Sequence, residues 1–303
     1  MRVVSLLPAA TEIVAALDRV DDLVAVSHEC DYPAAVRSKP RATRCEIHGN
    51  RLPSSETDRW VRRQLDEQGT LYTIDEALLR RLEPDVIITQ RLCDVCAVGY
   101  GTVTALAETL PGPPRVVNLE PERLADVLGD VQRVGQALGV PARAAAVIAK
   151  LERRIDSVRV RVTGARQPRC VLLEWTDPPY RGGHWMPEVV ELAGGIDLLG
   201  RTGERAAAIA WQEVREAEPE VLVLACCGYD VERTLADLPL LEAQPGWRDL
   251  PAVRSGRVFV VDGSAYFSRP GPRLVDSIEI LAALLHPDRF APPPPQAARA
   301  ASV

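Results

Sequence analysis

No apolar run in this 303-residue chain approaches the ~20 residues that a membrane-spanning helix needs, so no span is expected. The net charge is −6, and no basic stripe is present to neutralise a phosphate backbone, so nucleic acid is not an expected partner. There is no glycine-rich phosphate loop, no Gly-x-Ser-x-Gly turn and no His-Glu-x-x-His helix. The doublets Gly182-Gly183 and Gly194-Gly195 are too sparse for a nucleotide site, and an orthodox hydrolase or NTPase has little in its favour. Room for a secretory leader is also missing. Met1-Arg2 runs straight into Val3-Val4-Ser5-Leu6-Leu7-Pro8, which reads as a first strand, and the location this implies is cytoplasmic. Aromatic residues are scarce, at 5%. Cysteine is not: there are seven, at 30, 45, 93, 96, 170, 226 and 227. An odd number in a chain read as cytosolic favours free thiols, metal ligation or redox work over a disulfide framework.

What is present is hydrophobic material, 47% of the chain, enough for two cores of ~100–150 residues each. Residues 1–120 alternate strand and helix patterns, with strands expected at 3–7, 23–27, 85–89 and 115–119 and a helix over 11–17. From 121 to 165 there is almost no strand signal. Leu124, Val127, Leu128, Val131, Val134 and Leu138 recur at helical spacing, and Val147, Ile148, Leu151, Ile155 and Val158 continue it past a Gly139-Val140-Pro141 break. Nearly collinear, these ~40 residues would reach roughly 60 Å and form a spine. Alternation resumes over 166–290, with strands at 170–175, 221–225 and 257–262 and helices at 187–193 and 273–285. The proline- and alanine-rich stretch 291–303 reads as a disordered tail. Glu83-Pro84-Asp85-Val86-Ile87 and Glu218-Pro219-Glu220-Val221-Leu222 echo each other. The expected fold is α/β, two Rossmann-like lobes joined by a long helical spine.

The chemistry-bearing residues cluster where strands end, which is where open α/β sheets bind ligands. The strand at 23–27 runs into His28, Glu29, Cys30 and Asp31; the strand at 85–89 is followed by Cys93, Asp94 and Cys96. His28, Cys30, Cys93 and Cys96 would complete a Cys₃His set for zinc or iron if the two strands lie about 4.8 Å apart. The Cys-x-x-Cys alone fits a redox pair or two packed thiols equally well. Trp175, Tyr180 and Trp185 fall within eleven residues of a long loop that also holds His184, a candidate axial ligand or hydrogen-bond donor. Tyr266, Phe267, Arg269 and Arg273 precede the last helix, where an arginine suits a carboxylate or phosphate. Cys226-Cys227-Gly228 reads as small residues before a turn, Cys170 as core, and His48 and His286 as exposed.

Several strings resemble the cobalamin-binding members of the long-helix periplasmic-binding-protein superfamily, whose members carry vitamin B12, haem and siderophores. They are Val3-Val4-Ser5-Leu6-Leu7-Pro8-Ala9-Ala10-Thr11-Glu12, Val26-Ser27-His28-Glu29-Cys30-Asp31-Tyr32-Pro33, both Glu-Pro strings, Pro245-Gly246-Trp247 and Leu250-Pro251-Ala252-Val253. The His-Glu-Cys and Cys-x-x-Cys strings look like those of a subgroup without a signal peptide. The resemblance implies that Trp211 and Trp247 pack in a lobe core, and that a corrinoid such as cobalamin is held in an inter-lobe cleft. One wall would carry Thr11, His28, Cys30, Cys93 and Cys96, the other Trp175, His184, Trp185, Tyr266, Phe267 and Arg269. Without an export signal, no ABC transporter partner is expected. The rival readings are a metalloenzyme built on the His/Cys set and a cysteine redox enzyme.

Overall fold

The β-branched runs become the central strands of two sheets in the computed structural model, which describes residues 1–45, 52–91 and 98–301. The chain forms two compact units, one of Met1–Leu52, Arg59–Pro121 and Ala125–Lys150, the other of Pro53–Asp58, Glu122–Leu124 and Leu151–Val303.

The elements of the first half are β1 (Val3–Ser5), α1 (Pro8–Ala16), β2 (Leu23–Val26), β3 (Thr43–Cys45), α2 (Ser54–Gln68), β4 (Tyr72–Ile74), α3 (Glu76–Leu82), β5 (Val86–Gln90), α4 (Tyr100–Glu108), β6 (Arg115–Leu119), α5 (Leu124–Ala137) and α6 (Pro141–Val162). Strands β2, β1, β5 and β6 lie side by side in that order, all parallel, and β3 and β4 make a separate antiparallel ribbon. Successive side chains of a strand point to opposite faces, so one sheet buries two cores. Val3 and Ile88 pack with Ile13, Val131 and Val134, while Val4 and Ile87 pack with Leu79, Val103 and Leu106. Helix α1 starts at Pro8, not at 11, because proline is pre-set for the first helical position, where its missing N–H costs nothing.

The helical stretch at 121–165 is neither straight nor a third body. Gly139 takes a φ of 71° that ends α5, and a Cβ on Gly135 would overlap the Cβ of Ala144. Residues nine apart touch only if the chain turns back, so α5 and the start of α6 pack against each other.

The second half contributes β7 (Arg169–Thr176), β8 (Pro179–Arg181), α7 (Met186–Leu192), β9 (Ile196–Asp197), β10 (Ala207–Ala208), α8 (Trp211–Ala217), β11 (Val221–Leu224), α9 (Val231–Glu242), α10 (Pro251–Arg254), β12 (Val258–Val261), α11 (Leu274–Leu285) and β13 (Ala298–Ala300). The sheet runs β10-β8-β7-β11-β12-β13, with β9 beside the start of β7. Strands β7, β11 and β12 are parallel; β8, β10 and β13 are antiparallel additions. Trp211 and Trp247 lie in its core, their rings 6.0 Å apart. The echo between the halves is local and physical: Glu83 and Glu218 both close a helix in the left-handed region, at φ 42° and 45°, just before a proline and a strand.

Two expectations fail here. The 291–303 tail is not disordered throughout: β13 pairs with β12, and Ala297, Ala298 and Ala301 are buried. Alanine side chains are small enough to cover a sheet edge, and composition alone does not reveal that. His286 is buried, with Nε2 3.2 Å from the Gly194 carbonyl oxygen, while His48 lies outside the described residues. No helix among the described residues is long and apolar enough to cross a membrane.

Candidate ligand-binding site

Where β1 and β2 end, the first unit closes on a buried polar knot. Thr11 Oγ1 lies 2.8 Å from Ser5 Oγ and 3.0 Å from Cys30 Sγ, and Ser27 Oγ lies 3.1 Å from the same sulfur. All four residues are buried. The Arg41 guanidinium donates to the Ser27 and Cys30 carbonyl oxygens at 3.0 and 2.7 Å, pinning the loop between them. His28 turns to Thr43 instead: its N–H donates to Thr43 Oγ1 at 3.1 Å and its Nδ1 is 2.8 Å from the same oxygen. Its ring packs 5.5 Å from that of Tyr72. Cys30 and His28 therefore hold the strand ends together, and Thr11 lies too deep to offer a ligand a surface. Cys93 and Cys96 lie outside the described residues. Among the described residues, no three His, Cys, Asp or Glu side chains are grouped to hold a metal ion, so the expected zinc or iron centre has no support there.

The second unit differs. Trp175, near the carboxyl end of β7, packs its ring 4.8 Å from that of Tyr229, which follows β11. The Arg233 guanidinium covers Tyr229 at 4.2 Å and is itself held by Asp237 at 2.9 Å. The Ser264 N–H donates to the Tyr229 carbonyl oxygen at 3.0 Å, which brings up the turn after β12. On that turn Arg273 lies over Tyr266, 4.5 Å from the ring centroid. Two aromatic–arginine pairs thus sit on neighbouring strand-end loops, half-buried, with their bodies apolar and their rims cationic. Gly263 is required beneath them: a Cβ there would strike the Cys226 carbonyl.

The stretch after Trp175 is a hairpin, not a long loop. Strand β8 pairs back on β7, with Tyr180 opposite Trp175, so His184 and Trp185 are carried back along the sheet. Trp185 is buried, and its indole N–H donates 3.1 Å to the carbonyl oxygen of Phe267, which is itself fully buried. Arg269 is 7% exposed, with Nη2 3.4 Å from Ser264 Oγ. Trp185, Phe267 and Arg269 therefore support the loops rather than face a ligand. For Trp185 the antiparallel return of β8 is the physical reason, while Phe267 and Arg269 are buried in the stretch after β12. His184 takes a left-handed φ of 48°, its ring stacks 5.6 Å from that of Trp185, and its Nδ1 is buried without a hydrogen-bond partner. Burial holds its imidazole below the usual 6.5, so it is neutral near pH 7.

The sequence reading missed Tyr229 and Arg233, although Tyr229 directly follows the Cys226-Cys227-Gly228 turn it singled out. Cys226 is a poor nucleophile, because burial pushes its thiol pKa well up, and burial likewise raises that of Cys170 on β7 to about 12.

A family model described as "Periplasmic binding protein" matches residues 3–265. The chain belongs to that family. It is 24% identical over 289 residues to a vitamin B12-binding protein of Vibrio cholerae, spanning 92% of this chain and 86% of the relative. It is 20% identical over 296 residues to an uncharacterised ABC transporter substrate-binding lipoprotein, YvrC, of Bacillus subtilis, spanning 95% and 81%. A crystal structure of a periplasmic haem-binding protein from Pseudomonas aeruginosa superposes with a TM-score of 0.72 at 21% identity, covering 100% of this chain and 98% of that one. The two-lobed α/β class read from the sequence is the fold of this family. The cytoplasmic location is corrected by the same findings, since the family and its relatives are periplasmic or lipoprotein binding proteins. That expectation rested on where the sequence begins, which does not bear on where the folded protein works. The argument against a transporter partner rested on the same ground and falls with it.

Proposed function

We propose that this family member is a substrate-binding protein for a corrinoid of the vitamin B12 class, acting outside the cytoplasm and delivering its ligand to an ABC transporter. The observation that carries the reading is the strand-end surface of the second unit, where Trp175 and Tyr229 with Arg233, and Tyr266 with Arg273, stand on adjacent loops. A corrin has broad apolar faces and a rim of amides, so half-buried rings bordered by guanidinium groups meet both needs. The likeness to a vitamin B12-binding protein over most of the chain supports the same class of ligand. Burial disfavours a redox role for the thiols of Cys30, Cys170 and Cys226.

Titration of the purified protein with cyanocobalamin, dicyanocobinamide and haemin, followed by absorbance and calorimetry, tests the proposal. Corrinoid binding is expected, weakened by about 1–3 kcal/mol in Trp175→Ala, the loss expected when a large contact surface is truncated. Haemin binding without corrinoid binding would replace the ligand class. No binding of any of the three at tens of micromolar would overturn the reading.

A further inference from the structure

The aromatic surface of the second unit is not built from the second half of the sequence alone. Pro53–Asp58, the start of α2, belongs to that unit although the rest of α2 does not. Ser54 is fully buried there, its Oγ accepting from Thr176 Oγ1 at 2.8 Å and its carbonyl oxygen accepting from Trp175 Nε1 at 3.2 Å. Tyr180 donates its hydroxyl to Asp58 Oδ1 at 2.9 Å, and Tyr229 donates to Thr57 Oγ1 at 3.4 Å. The polar end of every ring in the Trp175, Tyr180 and Tyr229 group is thus tied to one helical turn.

We propose that Ser54, Thr57 and Asp58 are positioning residues for ligand binding, which set the ring orientations that a ligand meets. A tyrosine or tryptophan ring anchored only by its apolar body can rotate about two side-chain torsions, and freezing these on binding costs affinity. Three separate hydrogen bonds from one rigid turn remove that freedom before the ligand arrives. The turn contacts the edges of the rings and competes for none of their polar groups with a ligand that stacks. This inference rests on the ligand-binding reading above.

The test is cyanocobalamin titration of the full chain, with haemin in parallel, for two matched pairs of variants. Asp58→Ala removes the acceptor for Tyr180, and Asp58→Asn keeps an oxygen in its place. Thr57→Val removes the hydroxyl that meets Tyr229, and Thr57→Ser keeps it. Asp58→Ala and Thr57→Val should each bind roughly three- to tenfold more weakly, the factor supplied by one lost hydrogen bond. Asp58→Asn and Thr57→Ser should recover to within about twofold of the wild type. A merely structural role would lower the melting temperature without separating the members of each pair in affinity. Unchanged or tighter binding by both Asp58→Ala and Thr57→Val, with the wild type binding, overturns the inference and leaves the proposed function standing. Failure of the wild type to bind either probe overturns both.

Discussion

Asp130, on α5, offers a sharp test of how burial governs stability in the first unit. Its side chain is 1% exposed and its Oδ1 pairs with Arg133. Burial raises its carboxyl pKa from 3.8 to about 7; the Arg133 charge opposes the rise, and the Asp126 and Glu120 charges add to it. In the unfolded chain the same carboxyl ionises near 3.8, so between pH 3.8 and about 7 the folded state keeps a proton that the unfolded state has lost. Folding stability therefore falls as pH rises through that window, and the penalty is complete above about pH 7. The gap between the two values corresponds to an upper bound of about 4 kcal/mol. Asparagine keeps an oxygen for Arg133 but surrenders the charge, which takes back about 1–2 kcal/mol. Asp130→Asn should then be more stable than the wild type by about 2–3 kcal/mol at pH 8 and equal to it near pH 4. Urea unfolding followed by circular dichroism at pH 4, 6 and 8 reads the difference. A gap that does not widen with pH, or a variant less stable at pH 8, would refute the reasoning.

Removing residues 296–303 deletes β13, including the bonds from Asp262 N–H to the Ala297 carbonyl (2.9 Å) and from Ala301 N–H to the Val258 carbonyl (2.8 Å). Set against the chain entropy regained, the net loss should be about 1–3 kcal/mol, and an unchanged thermal midpoint would show that the edge of the sheet does not depend on the tail. In the folded protein at pH 8, iodoacetamide should alkylate half-buried Cys227 and Cys45 at least about tenfold faster than Cys30, Cys170 and Cys226, which are buried. Peptide mass spectrometry reads the order, and early modification of Cys226 would contradict its placement.

Much of the scaffold was legible because local rules act on it. Runs such as Val221-Leu222-Val223-Leu224 have no stable place except a strand buried on both faces, and β11 is that strand. Each of the two echoing Glu-Pro strings closes a helix just before a strand, and Trp211 and Trp247 lie in the core. The site was legible only in part. Of the rings proposed to meet the ligand, Trp175 stood out by aromatic concentration in a chain poor in rings and Tyr266 by its place before the last helix, whereas Tyr229 carried no such signal. Trp185 was misplaced because nothing local announces that Pro179–Arg181 pairs back on β7, and Phe267 because nothing local announces that the turn after β12 buries it. Cys30 and His28 suggested a metal by residue type, whereas their hydroxyl partners Ser5, Thr11, Ser27 and Thr43 are common residues with no signature.

The main parallel strands, the helices between them and the two cores followed from the sequence by itself, since hydrophobic periodicity and breaker residues act over a few positions and survive without the folded context; the family followed from the resemblance of particular strings. Tertiary structure alone decided which rings reach the strand ends, that the tail completes a sheet, and that Ser54, Thr57 and Asp58 sit beside Trp175, Tyr180 and Tyr229. Those contacts join residues more than 120 positions apart. Such pairings are set by the packing of whole elements, for which no window of neighbouring residues carries a signal.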